Sequence, residues 1–225
     1  MKYELISHPL CPFNQRCVIT ALKKGLQKER NLKITYVDLG NIPEWFLEIS
    51  PEKAFPVLRL ENRELLFKTQ IINNFLDEDS AGFLRDESTL VHAKDRLWIE
   101  RAAEYLNTLR DVFIAPDEKS FLESKNKLFD LFRITENYLE QNPFYFRNHH
   151  FTLVDGAFAP LFMLMFHFDS LKNDPAWLRY PNTKKWGLNL LEDAEVQASA
   201  CPDYRGEFEY FLSLFESYFP IYNKI

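Results

Sequence analysis

Cys11 is the side chain best placed to act as a nucleophile. It stands in the run Ser7-His8-Pro9-Leu10-Cys11-Pro12-Phe13-Asn14-Gln15-Arg16, between a strand-like and a helix-like segment. Pro12 sits where a helix most readily admits proline, at its first position. A sulfur just before that position faces the unpaired N–H groups of the helix start. Those groups favour an anion, so the spacing predicts a lowered thiol pKa and a reactive thiolate. Placement alone leaves open the alternative of a buried, inert cysteine in a loop. Cys17 follows six positions later, about 240° further round a helix. The two sulfurs should not face each other, and Cys17 reads as core. Cys201, before Pro202 at an expected helix start, could also have a lowered pKa but has no companion residues and reads as structural. A second signal is Phe55-Pro56-Val57. A proline opening a strand cannot donate to the ladder, and a cis Pro56 would turn the backbone there toward a ligand, with Val57 offering N–H and C=O. An ordinary edge-strand proline is the competing reading.

The elements that would hold these residues alternate over the first 80 positions. Strands are expected at Tyr3–Ser7, Lys33–Asp38, Phe55–Leu60 and Glu64–Phe67, the last two forming a hairpin around Glu61-Asn62-Arg63. Helices are expected at about 13–24, stopped by Gly25, at 45–49 before Ser50-Pro51, and from Thr69, as cap, to about Asp77. The order is βαβαββα. A polar stretch around 80–89 with Gly82 reads as a linker between a domain at 1–79 and an all-helical domain at 90–225. In the latter, long helices are expected at about 90–115 and 118–141, closed by Pro116 and by Asn142-Pro143. A third begins at Thr152, with Asp155 completing a capping box, and shorter ones lie near 183–193 and 202–219. His149 and His150, beside the aromatic run Phe144-Tyr145-Phe146, read as solvated loop histidines.

Composition bounds the function. At 225 residues, 46% hydrophobic and 27% charged, the chain needs no disulfide or metal staple. A net charge of −6 does not fit a nucleic-acid backbone as main partner. No stretch reaches the roughly 20 apolar residues of a membrane span. The most apolar one, Phe158–Phe168, reads as a buried helix. The N-terminus lacks the pattern of a secretory signal, and three cysteines with five scattered histidines offer neither a disulfide framework nor metal-ligand spacing. A reducing, cytoplasmic setting is expected.

Taken in order, Cys-Pro-Phe-x-Gln-Arg, Ser-Pro followed by Phe-Pro-Val-Leu, a helix ending Asn-Phe-Leu-Asp-Glu, the segment Phe151–Ala157 and the Pro181-to-Trp186 segment resemble the soluble glutathione transferases. The resemblance is nearest to the omega-like, cysteine-type branch and spans the whole chain. It implies a thioredoxin-like α/β domain followed by an all-α domain.

The resemblance also implies site roles. Cys11 would form a mixed disulfide with glutathione, and Phe13 would line the glutathione site. Val57 would pair its backbone with the cysteinyl part, Lys53 would approach the glycyl carboxylate, and Thr69 would bind the γ-glutamyl carboxylate. Lys68 departs from the family's acidic residue or Gln, which faces the glutathione ammonium. An acceptor pocket over Cys11 would be lined by Trp98, Arg101 and Tyr105, for which core or interface packing is the competing reading. The implied partners are glutathione as co-substrate, a small electrophilic or disulfide substrate, and a second copy of the chain in a homodimer, with no metal, nucleic acid or membrane. The implied reaction is thiol transfer or deglutathionylation, with dehydroascorbate reduction as a variant. The alternative is a non-catalytic binding or regulatory module on the same fold.

Overall fold

A computed structural model describes residues 2–84, 88–139, 145–146 and 150–219. The chain divides into two units. One runs to Leu84 and takes in Glu195–Glu207, and the other comprises the remaining helical chain.

The first unit has the expected order: β1 (Tyr3–Ser7), α1 (Pro12–Lys23), β2 (Leu32–Tyr36), α2 (Glu44–Ile49), β3 (Val57–Leu60), β4 (Leu65–Phe67) and α3 (Thr69–Glu78). Its sheet runs β2-β1-β3-β4, with β1 and β2 parallel and β3 antiparallel to both β1 and β4. Alternate side chains point to opposite faces of a strand. Tyr3, Leu5 and Leu58 therefore pack with Cys17, Val18 and Ala21 of α1 and Ile72 and Leu76 of α3, while Ile6 and Val57 pack with Phe46 of α2. Cys17 is core, as its spacing predicts. Gly25 ends α1 with φ +77°, a conformation that only glycine adopts without cost.

The register fixes which residues share an end of the sheet. Ile6 pairs with Val57, and Val57 with Phe67, so the loop after β1, the segment before β3 and the turn after β4 all lie at one end. α1 and α3 both start there. The unit is completed from far along the sequence. In α9 (Ala194–Ala198) and the turn after it, Glu195 Oε2 lies 3.0 Å from Lys23 Nζ, and Ala198 O accepts from Lys28 Nζ at 2.5 Å.

The second unit is helical: α4 (Thr89–Phe113), α5 (Glu118–Leu139), α6 (Leu153–His167), α7 (Asp169–Lys172), a 3₁₀ turn (Pro175–Arg179), α8 (Pro181–Leu191) and α10 (Tyr204–Ser213), whose first residues group with the first unit. α6 is the apolar stretch expected to be buried, and all but Met163 and His167 of its residues are. Its capping box is present: Asp155 Oδ2 accepts from Thr152 N and Oγ1 at 2.9 and 2.7 Å. The other oxygen accepts from Phe146 N and Trp186 Nε1, both at 2.9 Å, so one carboxylate joins the two late sequence motifs. Glu136 of α5 caps α8 through Asn182 N at 3.0 Å and Thr183 N at 2.8 Å. The expected stop at Asn142-Pro143, and His149, lie outside the described residues; His150 is exposed.

Candidate active site

Cys11 is the N-cap of α1. Its Sγ accepts from Asn14 N at 3.4 Å and is buried to 5% exposure. Ser7, the last residue of β1, is buried, and its Oγ meets no partner at normal hydrogen-bond length, which leaves its proton available to the sulfur. The electrostatics of the thiol are a contest. Burial pushes Cys11 above its ordinary pKa. The Ser7 hydroxyl, the N–H groups of Asn14 and Phe13, and the Arg16 guanidinium oppose it, in that order, without overturning it. The lowered pKa expected from the helix start is therefore not met in this structure: the donors are in place, and desolvation outweighs them. Cys17 is pushed well up by burial and then by Cys11. Cys201 is buried, in keeping with its reading as structural, and the lowered pKa it could have had is absent. Burial and the charge of Glu207 push it up to about 11, and α10 begins only at Tyr204.

The peptide between Phe55 and Pro56 is cis. Val57 pairs with Ile6 on one side and Phe67 on the other, so its N–H and C=O point at a neighbouring strand whichever side they take. Phe55 lies outside the ladder and its backbone makes no hydrogen bond among the described residues. The sequence carried this signal, because a proline that opens a strand places its successor in the ladder and its predecessor outside. The Phe55 ring stacks on Phe46 at 4.6 Å and meets His8 edge-on at 5.5 Å, while His8 O accepts from Cys11 N at 3.2 Å. These contacts tie the cysteine loop to the Phe55–Pro56 segment. Burial pushes His8 down to about 4, so the imidazole beside the site is neutral.

Phe13 is half-buried with the Arg16 guanidinium 5.1 Å above its ring. Lys68 is exposed and caps α3 with φ 70° and ψ 121°, and Thr69 is the first helical residue rather than the cap. Neither end of the helix start is acidic: the first turn of α3 carries no carboxylate. Lys53 is exposed, with φ 54° and its N–H bonded to Ser50 O at 2.9 Å. Cys11, Phe55, Lys68 and Thr69 thus gather at one end of the sheet, with two helix N-termini.

Residues 10–79 match the family profile for the N-terminal domain of glutathione S-transferases. Glutathione S-transferase omega-1 of Sus scrofa is 24% identical over 197 residues, covering 87% of this chain and 79% of that protein. The chain belongs to the glutathione transferase superfamily. It is omega-like, and a 53-residue stretch of it is also 45% identical to the probable chloroplastic glutathione S-transferase DHAR2 of Oryza sativa subsp. japonica, a match covering 24% of this chain and 18% of that one. Glutathione transferase Omega 3C of Trametes versicolor shares the fold, with a TM-score of 0.71 at 18% identity over 88% of this chain and 89% of that one. The transferase fold accounts for the sheet order and the helical unit together.

Two of the three residues expected to line an acceptor pocket are core residues of the helical unit. Trp98 packs on Phe146 at 4.7 Å and Tyr138 at 5.1 Å. Tyr105 is 1% exposed, between Phe132 and Phe158, with its hydroxyl 2.7 Å from Thr135 Oγ1. The spacing that put them on one side of α4 put that side against α5 and α6. Arg101 stacks over Trp98 at 5.3 Å and keeps its Nε without a partner.

Proposed function

We propose that this transferase works through Cys11 as a glutathione-dependent thioltransferase. The observation that carries the reading is Cys11 Sγ at the N-terminus of α1, at the same sheet end as the free backbone of Phe55 and the start of α3. Phe55, rather than Val57, pairs with the cysteinyl backbone of glutathione, and the N–H groups and hydroxyl at Thr69 take the γ-glutamyl carboxylate. Phe13 lines the site, Lys53 faces the glycyl end, and Lys68 stands where the ammonium must lie.

In the first step the Cys11 thiolate attacks the glutathionyl sulfur of a mixed disulfide. The substrate S–S bond breaks, the substrate leaves as a thiolate that takes up a proton, and Cys11 is left joined to glutathione. A second glutathione thiolate then attacks the glutathionyl sulfur of that bond. Glutathione disulfide departs and Cys11 is restored as thiolate. The Ser7 hydroxyl, the Asn14 N–H and Arg16 supply the charge stabilisation that burial opposes. Dehydroascorbate reduction is the variant in which the first acceptor is not a disulfide. Cytoplasmic location and a homodimer belong to the same reading.

Incubation with glutathione disulfide, followed by peptide mass measurement, tests it. A glutathione adduct confined to Cys11, and loss of disulfide-exchange turnover in Cys11→Ser, is the expected result. An adduct on Cys17 or Cys201 alone, or turnover that survives Cys11→Ser, overturns it in favour of a non-catalytic module.

A further inference from the structure

The γ-glutamyl end of glutathione carries a carboxylate and an ammonium on the same carbon. Wherever the carboxylate is bound, the ammonium comes with it. In the proposed site the carboxylate lies at the start of α3, and the inference drawn here rests on that reading. The start of α3 suits an anion. Its first internal bond runs from Ile72 N to Lys68 O at 3.0 Å, so the N–H groups of Thr69, Gln70 and Ile71 have no partner inside the helix. The Thr69 hydroxyl also makes no hydrogen bond among the described residues.

The same turn gives a cation nothing to pair with. Lys68 is the N-cap, its backbone held at φ 70° and its side chain exposed, with no ion pair or side-chain hydrogen bond among the described residues. Neither α3 nor α1 carries an acid in its first turn. The acids of α3, Asp77 and Glu78, stand about two turns further on, at its other end. Asp77 Oδ1 lies 3.1 Å from Lys24 Nζ, and Asp79, just beyond, has Lys2 Nζ at 2.8 Å. Gln70 Oε1 is buried and meets no donor, but a carbonyl oxygen offers a hydrogen bond and cancels no charge. The positive end of the α3 dipole adds to the charge of Lys68. An ammonium attached to the bound carboxylate is therefore repelled twice, and the carboxylate itself is attracted twice. At the other end of the ligand the glycyl carboxylate keeps Lys53, which is exposed and also without an ion pair among the described residues.

We propose that the preferred thiol co-substrate of this chain keeps the two carboxylates of glutathione and lacks its free ammonium: a deaminated or N-acylated γ-glutamyl thiol. Loss of the ammonium leaves the bonds at Thr69 intact and lets Lys68 pair with the carboxylate. Glutathione itself binds, more weakly.

The test is titration calorimetry on the full chain with S-methylglutathione and its deaminated counterpart, S-methyl glutaryl-cysteinylglycine. The S-methyl group keeps either ligand from reacting with Cys11, so binding is read alone. The deaminated ligand should bind about three- to tenfold more tightly, and the advantage should shrink in high salt. Lys68→Gln should narrow it and Lys68→Glu should reverse it, while Lys53→Gln should weaken both ligands by a similar factor. Equal affinities in the unaltered chain, or tighter binding of S-methylglutathione, overturn the inference and leave the Cys11 site standing. An advantage that survives in Lys68→Glu overturns it as well. Binding of neither ligand by the unaltered chain overturns both the inference and the glutathione site on which it rests.

Discussion

Lys68 holds a positive charge at the turn where β4 gives way to α3, in a backbone conformation that side-chain-bearing residues rarely adopt. Such a residue costs on the order of 1–3 kcal/mol and persists where its surroundings over-determine it. Here the carbonyl of Lys68 accepts from Ile72 N at 3.0 Å, so the backbone is tied down while the side chain is exposed. In the proposed site that charge faces the glutathione ammonium. Lys68→Glu should tighten glutathione about two- to fivefold, since exposed pairs are weak, and the gain should shrink in high salt. Thr69→Ala should loosen binding. Titration calorimetry decides: an unchanged Lys68→Glu affinity beside a weakened Thr69→Ala one assigns the ammonium to another group. His8 gives a pH-dependent stability. It titrates near 4 when folded and near about 6.5 when unfolded, so the unfolded chain takes the proton first. The stability it contributes is full above about pH 6.5 and is lost as pH falls from there through about 4. His8→Phe should remove about 2 kcal/mol of the stability difference between about pH 7 and pH 5, read from urea unfolding. Equal slopes in both chains would show that His8 is not the source. Cys11 was legible at this scale, because proline and helix onset leave a clear pattern. The direction of its pKa was not, because desolvation depends on chain folded over it from β1.

Helix positions were read from 3.6-residue periodicity and came within about two residues of the observed ends for α1, α2, α3 and α4. α7, the 3₁₀ turn and α9 were not anticipated: each has five residues or fewer, too short to show a period. The capping box was legible because it is local. Its extension to Trp186 was not, because a hydrogen bond across 31 residues leaves no trace in spacing. The same junction makes a prediction about α8. A Cβ added to Gly187 would lie 2.7 Å from Phe162 Cγ, and Phe162 is fully buried in an aromatic stack with little room to turn. Gly187→Ala should cost about 1–3 kcal/mol through overpacking, against the small gain that alanine brings to an exposed helix. In a thermal melt this is a fall of roughly 5 °C. An unchanged midpoint would mean that α6 and α8 can move apart at no cost.

The division into an α/β unit and a helical unit was legible because hydrophobic periodicity changes near the linker. The membership of Glu195–Glu207 was not. An amphipathic pattern shows which face of a segment is apolar and says nothing of which core receives it. On the outer face of α4, Leu90 and Leu97 are seven positions apart and 64% and 54% exposed. The proposed homodimer would cover them, so light scattering should give a mass twice the 26.8 kDa of one chain. Leu90→Lys with Leu97→Lys should shift it toward a single chain. A single-chain mass for the unaltered protein at micromolar concentration would end that reading. The distant completion of the first unit also sets an order of events during translation. Lys23 and Lys28 leave the ribosome 172 and 170 residues before the partners that Glu195 and Ala198 supply. At about 5–20 residues per second the nascent α/β unit waits about 9–34 s with that flank uncovered. The end of the sheet proposed to bind glutathione is complete well before the unit is, so in that reading glutathione is in a position to act on the nascent chain as a ligand that stabilises a half-made protein.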